Sequence, residues 1–149
     1  MRLNTASQAI SFLRQLETKS AAFYESLAQK HSGEEALFLG FAKENKKNIS
    51  TIERTYFGVI TDALEGCFAF DIDPDEYAVQ DDAPKGDLAG DLAAALEMEE
   101  RITRFYRDAA AQSKSLMADI PRVMERIGKA RGERPKKLQA LLHSIKGRT

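Results

Sequence analysis

Residues 10–27 read Ile10-Ser11-Phe12-Leu13-Arg14-Gln15-Leu16-Glu17-Thr18-Lys19-Ser20-Ala21-Ala22-Phe23-Tyr24-Glu25-Ser26-Leu27, and the spacing of their side chains decides the fold class. Ile10, Leu13, Glu17, Ser20, Tyr24 and Leu27 recur in steps of three and four. An α-helix places such positions on one face, so this stretch reads as a helix with an inward stripe. One carboxylate, Glu17, interrupts that stripe near its middle. Ahead of it, Thr5-Ala6-Ser7-Gln8 has the capping-box spacing, a hydroxyl followed three residues on by a side-chain amide. A helix over 5–29 is expected.

The same pattern returns three more times. Ser32 and Glu35 have a second capping-box spacing and open a helix over 33–64, closed by Gly66. Its stripe is Phe38, Phe41, Asn45, Asn48, Ile52, Thr55 and Val59. Asp87 or Asp91 caps a third helix over 88–112, with Leu92, Ala95, Glu99, Ile102, Tyr106 and Ala109 in line. Asp119 and Pro121 start a fourth over 120–146, with Ile127, Arg131, Arg134, Leu138, Leu141 and Ile145 facing in. Pro135 is expected to bend it. Gly66 to Gly86 holds Pro74, Pro84 and clustered Asp, so it reads as a long connection.

The two halves of the chain repeat. Phe23, Tyr24 and Glu17 match Phe105, Tyr106 and Glu99, while Asn45 and Asn48 match Arg131 and Arg134. A polar side chain is costly in a bundle interior. Six of them at matched levels therefore read as one shared cluster, made of Glu17, Asn45, Asn48, Glu99, Arg131 and Arg134. Tyr24 and Tyr106 stand beside it, with hydroxyls expected to bond Glu17 or Glu99 across the bundle.

These residues resemble the rubrerythrin branch of the ferritin-like superfamily. Ala9-Ile10-Ser11-Phe12-Leu13-Arg14-Gln15-Leu16-Glu17 with Phe23-Tyr24 is similar to that family's first helix. Phe41-Ala42-Lys43-Glu44-Asn45-Lys46-Lys47-Asn48 is similar to its second, and Leu96-Glu97-Met98-Glu99-Glu100 with Phe105-Tyr106 to its third. The resemblance spans Ala6 to about Leu142. It implies an all-α, ferritin-like four-helix bundle with a long crossover between helices two and three, as one domain over 1–149.

In that family two helices each supply a Glu and two supply Glu-x-x-His, which together hold two iron or manganese ions. Glu17 and Glu99 match the single-Glu positions. The Glu-x-x-His positions read Asn45-x-x-Asn48 and Arg131-x-x-Arg134. Arg has no lone pair to give a metal and stays protonated. Two Glu and two Arg balance in charge without any cation, so no metal or other cofactor is expected. The two histidines, His31 and His143, fall off the cluster. The alternative is a metal site on Glu17 and Glu99, with Fe or Mn, recruiting Glu44, Glu97 or Glu100 through a register shift.

The remaining features exclude more than they assign. Net charge is −1, no apolar run reaches the roughly 20 residues of a spanning helix, and neither nucleic acid nor membrane is expected as a partner. Acidic residues gather in 65–100 and basic ones in 122–149, which reads as two faces of a neutral whole. The opening Met1-Arg2-Leu3-Asn4-Thr5 lacks an apolar signal core and Cys67 is the single cysteine, so a cytoplasmic location is expected. Cys67 reads as a packed thiol beside Phe68 and Phe70. Asp71-x-Asp73-x-Asp75 opens like a calcium loop, but Glu76 and Asp82 stand where Gly and Glu are required. It reads instead as a solvated acidic link over Phe68, Phe70 and Tyr77.

Two functions are consistent with these features. The first is a non-catalytic bundle acting through protein–protein interaction, as a homodimer or with another protein. Phe57, Phe68, Phe70 and the basic last helix are its candidate contact surfaces. The alternative is a diiron oxidoreductase reducing peroxide or oxygen, with Glu17 and Glu99 as ligands and Tyr24 as redox partner. The chain lacks the Cys-x-x-Cys iron domain that rubrerythrin-like enzymes often carry.

Overall fold

Thr5 sets where the first helix begins. Its hydroxyl accepts from the Gln8 amide at 3.1 Å, and Gln8 Oε1 accepts from the Thr5 and Asn4 amides at 3.2 and 2.8 Å. Helix α1, Ala6–Lys30, starts from that cap, and its end is marked by the His31 amide returning to the Leu27 carbonyl at 2.8 Å. A computed structural model describes residues 2–59, 68–79, 86–113 and 119–147. Within them follow α2 (Glu35–Val59), α3 (Leu88–Gln112), α4 (Asp119–Arg131) and α5 (Glu133–Gly147). The class is all-α. A short antiparallel pair, β1 (Leu3–Thr5) and β2 (Phe68–Ile72), is added at one end.

Side-chain pairs fix the helix directions. Arg14 meets Glu53 at 2.8 Å and Lys46 meets Glu25 at 3.2 Å, so α1 and α2 are antiparallel. Tyr24 on α1 reaches Glu99 on α3, and Tyr106 on α3 reaches Glu17 on α1, so these two are antiparallel as well. Arg131 reaches Glu99 while Gly128 lies against Tyr106, which sets α4 antiparallel to α3. It follows that α2 and α3 run parallel. Helices that run parallel are not joined by a tight turn.

Residues 71–78 lie along α3 in the opposite sense. The Asp71 amide donates to Gln112 Oε1 at 2.8 Å, Tyr77 Oη donates to Asp108, Arg104 donates to the Glu76 carbonyl and Arg101 to the Ala78 carbonyl. Partners on α3 thus fall from 112 to 101 as the strand side rises from 71 to 78. At the far end of α1, Lys30 and His31 meet the buried Asp91 carboxylate at 3.1 and 2.7 Å. Between these ends the interior holds Ala9, Leu13, Leu27, Phe38, Leu92 and Ile102, almost wholly buried, around a cluster of buried polar side chains.

Several sequence expectations need correction. The helix expected over 120–146 is two helices, broken at Gly132 rather than bent at Pro135. In an unbroken helix, Pro135 would offer no N–H to the Arg131 carbonyl and its ring would press on that oxygen. The break puts Pro135 in the first turn of α5, where an amide is not needed. Ser32 does not begin α2 directly. It opens a 3-10 turn through Glu34, and α2 begins at Glu35.

The expected connection contains a strand. Leu3 pairs with Ile72 and Thr5 with Phe68, with an irregularity between. Phe70 and Ile72 are buried and Asp71 is exposed, a two-residue alternation that marks a half-buried strand. Phe70 is therefore not a contact surface, while Phe57 is 69% exposed. Asp87 caps α3 through the Gly90 amide, and Asp91 takes the ion pairs instead. The expected end of α2 at 64, the Gly66 cap and the packed Cys67 lie outside the described residues.

Candidate functional site: a buried guanidinium–carboxylate network

The helical period alone brings Glu17, Ser20 and Tyr24 of α1 to the same face as one another, and does the same for Glu99 and Tyr106 of α3. Asn45 enters from α2. Arg131 is the last residue of α4 and Arg134 lies in the first turn of α5, so the break at Gly132 sits between two inward-facing guanidinium groups. Glu17, Asn45, Glu99, Arg131 and Arg134 are all at most 2% exposed.

Arg131 occupies the centre. Its Nη1 is 2.9 Å from each oxygen of Glu17, and its Nη2 is 3.0 Å from each oxygen of Glu99. Nη1 also donates to Asn45 Oδ1 at 3.2 Å and Nη2 to Ser20 Oγ at 3.4 Å. Arg134 adds a second cation beside Glu99 Oε1 at 3.2 Å, and its Nη2 donates to the Phe41 carbonyl at 3.0 Å. That guanidinium also lies 5.0 Å from the Phe41 ring centre and 5.6 Å from that of Tyr24. Aromatic faces attract cations, so these rings line a favourable seat for it.

The tyrosines cross over. Tyr24 Oη donates to Glu99 Oε1 and Tyr106 Oη donates to Glu17 Oε1, both at 2.7 Å. Each carboxylate thus receives a phenol from the opposite helix and a guanidinium from the α4–α5 side. Burial pushes both phenols well above their ordinary range, and the facing carboxylate adds to the shift. For Arg131, burial alone would lower the value, but attraction to Glu17 and Glu99 outweighs it and the group is raised. A buried charge is tolerated where it is paired and hydrogen-bonded, and this arrangement supplies both.

Two residues fall differently from the sequence reading. Asn48 is half-buried and lines an open cavity beside the network. Glu44, placed off the stripe by the helical period, reaches Arg134 Nη2 at 3.3 Å while its side chain stays 58% exposed. Its length carries the carboxylate around the helix, which periodicity alone does not reveal. The Phe41 carbonyl is a further participant with no sequence signal, since backbone acceptors are common to every residue. Ser20 belongs to the expected stripe but not to the expected polar cluster, which its hydroxyl joins through Arg131.

The donor set does not suit a pair of metal ions. Glu17 and Glu99 are its carboxylates, and Arg131 lies between them. Guanidinium has five donors and no acceptor, so it cannot coordinate a cation and repels one electrostatically. Among the described residues, no group of three or more His, Cys, Asp or Glu gathers to hold a metal ion. Among the described residues too, no helix is long and apolar enough to cross a membrane. Comparison with protein-family models, with curated proteins and with solved structures finds no match to this chain.

Proposed function

We propose that this chain is a non-catalytic, ferritin-like four-helix-bundle protein whose metal site is replaced by the Glu–Arg–Asn network, and that it acts through contacts with other protein chains, as a homodimer. The observation that carries this reading is Arg131, seated between Glu17 and Glu99 at 2.9–3.0 Å from both carboxylates. The helix order supports it too. In ferritin-like bundles the second and third helices run parallel and a long crossover links them. Leu39 and Phe57, 43% and 69% exposed, lie about five turns apart on one side of α2 and supply apolar surface for a partner.

Metal analysis of protein purified from cells supplied with iron and manganese tests the interior. The expected result is no stoichiometric metal; about two ions per chain would overturn the proposal. The combined variant Asn45→Glu, Asn48→His, Arg131→Glu and Arg134→His restores the missing ligand types and should bind iron or zinc. If the folded variant binds no more metal than the parent, the matched helix levels are wrong. Light scattering of the parent tests the homodimer, and a monomer at tens of micromolar would remove that part.

A further inference from the structure

The network has an outward side. Where α2, α4 and α5 meet, a cavity of about 620 Å³ opens beside it, a volume within the usual range for small-molecule sites. Arg131 and Arg134 form its inner wall. Lys47, Arg126 and Lys137 stand around its exposed part. These five cations meet two carboxylates in the lining, Glu44 and Glu133. Both acids are already engaged, Glu44 with Arg134 and Glu133 with Lys136, each at 3.3 Å.

The charge balance decides what such a cavity takes. Within the network, Arg131 and Arg134 offset Glu17 and Glu99. Lys136 offsets Glu133, which leaves Lys47, Arg126 and Lys137 against Glu44, an excess of two positive charges. Among the described residues, none of the three outer cations makes an ion pair. The cavity also meets the start of α5, since Glu133 and Arg134 are the first two residues of that helix. A helix start favours anions through its free amides and its dipole. Arg134 brings a second observation from inside. It is 2% exposed, lines the cavity, and its Nη2 is held by the half-exposed Glu44 carboxylate at 3.3 Å.

We propose that this cavity binds a small phosphorylated molecule, its phosphoryl dianion held by Lys47, Arg126 and Lys137 at the mouth and by Arg134 within. Glu44 is then the resident competitor. Its carboxylate is half in water and holds Arg134 by the longer of that group's two ion pairs, so an arriving dianion displaces it. The ligand and the network share Arg134, which couples occupancy of the cavity to the packing of the bundle. The inference rests on the cavity and its charges, and stands or falls apart from the ferritin-like reading.

Isothermal titration calorimetry of the intact protein with inorganic phosphate tests it, with succinate as a second dianion and sodium chloride at matched ionic strength. Saturable binding of one phosphate per chain is expected. The variant Lys47→Gln, Arg126→Gln, Lys137→Gln changes exposed residues only, and should weaken binding at least tenfold. Glu44→Gln should tighten it several-fold, and Arg14→Gln with Arg107→Gln, exposed residues of α1 and α3, which contribute nothing to the cavity lining, should leave it unchanged. Absence of saturable phosphate binding, or equal affinity in the triple variant, would overturn the proposal. Succinate binding more tightly than phosphate would overturn the phosphoryl assignment.

Discussion

Tyr24 and Tyr77 both donate a phenol hydrogen bond to a carboxylate on α3, one inside the bundle and one from the turn that follows β2. Inside, Tyr24 meets Glu99 where two guanidinium groups also converge, and the carboxylate is 0% exposed. Outside, Tyr77 meets a half-buried Asp108, and Arg104 lies over its ring at 4.9 Å. The same two functional groups therefore have different consequences. Water can share the load of Asp108 when a partner leaves, and no water shares that of Glu99. Interior charge makes the network obligatory as a set, whereas the contacts of residues 71–78 act nearly one by one.

Removing the central cation tests this contrast most severely. Arg131→Leu leaves Glu17 and much of Glu99 buried without their main partner, and breaking a buried pair in this way costs about 3–5 kcal/mol. Thermal and urea denaturation should show a large fall in stability. An unchanged melting temperature would mean that the carboxylates are not held as ions in the interior.

Alkali separates the regions next. The phenols of Tyr24 and Tyr106 are raised by burial, and the carboxylates facing them add to the shift. Below pH ~10 the folded and unfolded chains both keep these protons, so no dependence arises there. Above it the unfolded chain releases them and the folded chain retains them, so stability falls as pH rises. The limit is about 1.4 kcal/mol per pH unit for each phenol until its folded value is reached. Urea midpoints measured across that range should drop steeply, and less steeply in Tyr24→Phe. A flat profile would contradict the burial of both hydroxyls. Tyr77 is pushed up to about 12, first by burial and then by its bond to Asp108.

Single phenol deletions give the finest comparison. Tyr24→Phe removes a bond to a charged acceptor and should cost roughly 1.5–3 kcal/mol. Tyr77→Phe, beside a water-accessible carboxylate, should cost about 1 kcal/mol or less. Equal losses at the two sites would show that burial does not distinguish them.

The helices were legible because their signals are local. Capping by Thr5 and Gln8 needs only residues three apart, and the stripes of α1 and α3 follow from the 3.6-residue turn. The strand at Phe68–Ile72 was hidden because its partner is Leu3–Thr5, some 65 positions earlier, and five residues of alternation are a weak signal. The break at Gly132 was displaced from the expected bend at Pro135. Proline acts on the carbonyl four residues before it, so the disruption falls upstream of the ring.

For the polar cluster, sequence spacing determined which residues share a face and that their charges balance, since covalent geometry sets the helical period. Only the tertiary structure decided the pairings. The crossed Tyr–Glu bonds, the place of Arg131 between two acids, the reach of Glu44 and the retreat of Asn48 to a cavity wall all depend on helix directions and separations. Those are set by packing among residues distant in the chain, where contact is a property of three dimensions and leaves no local trace.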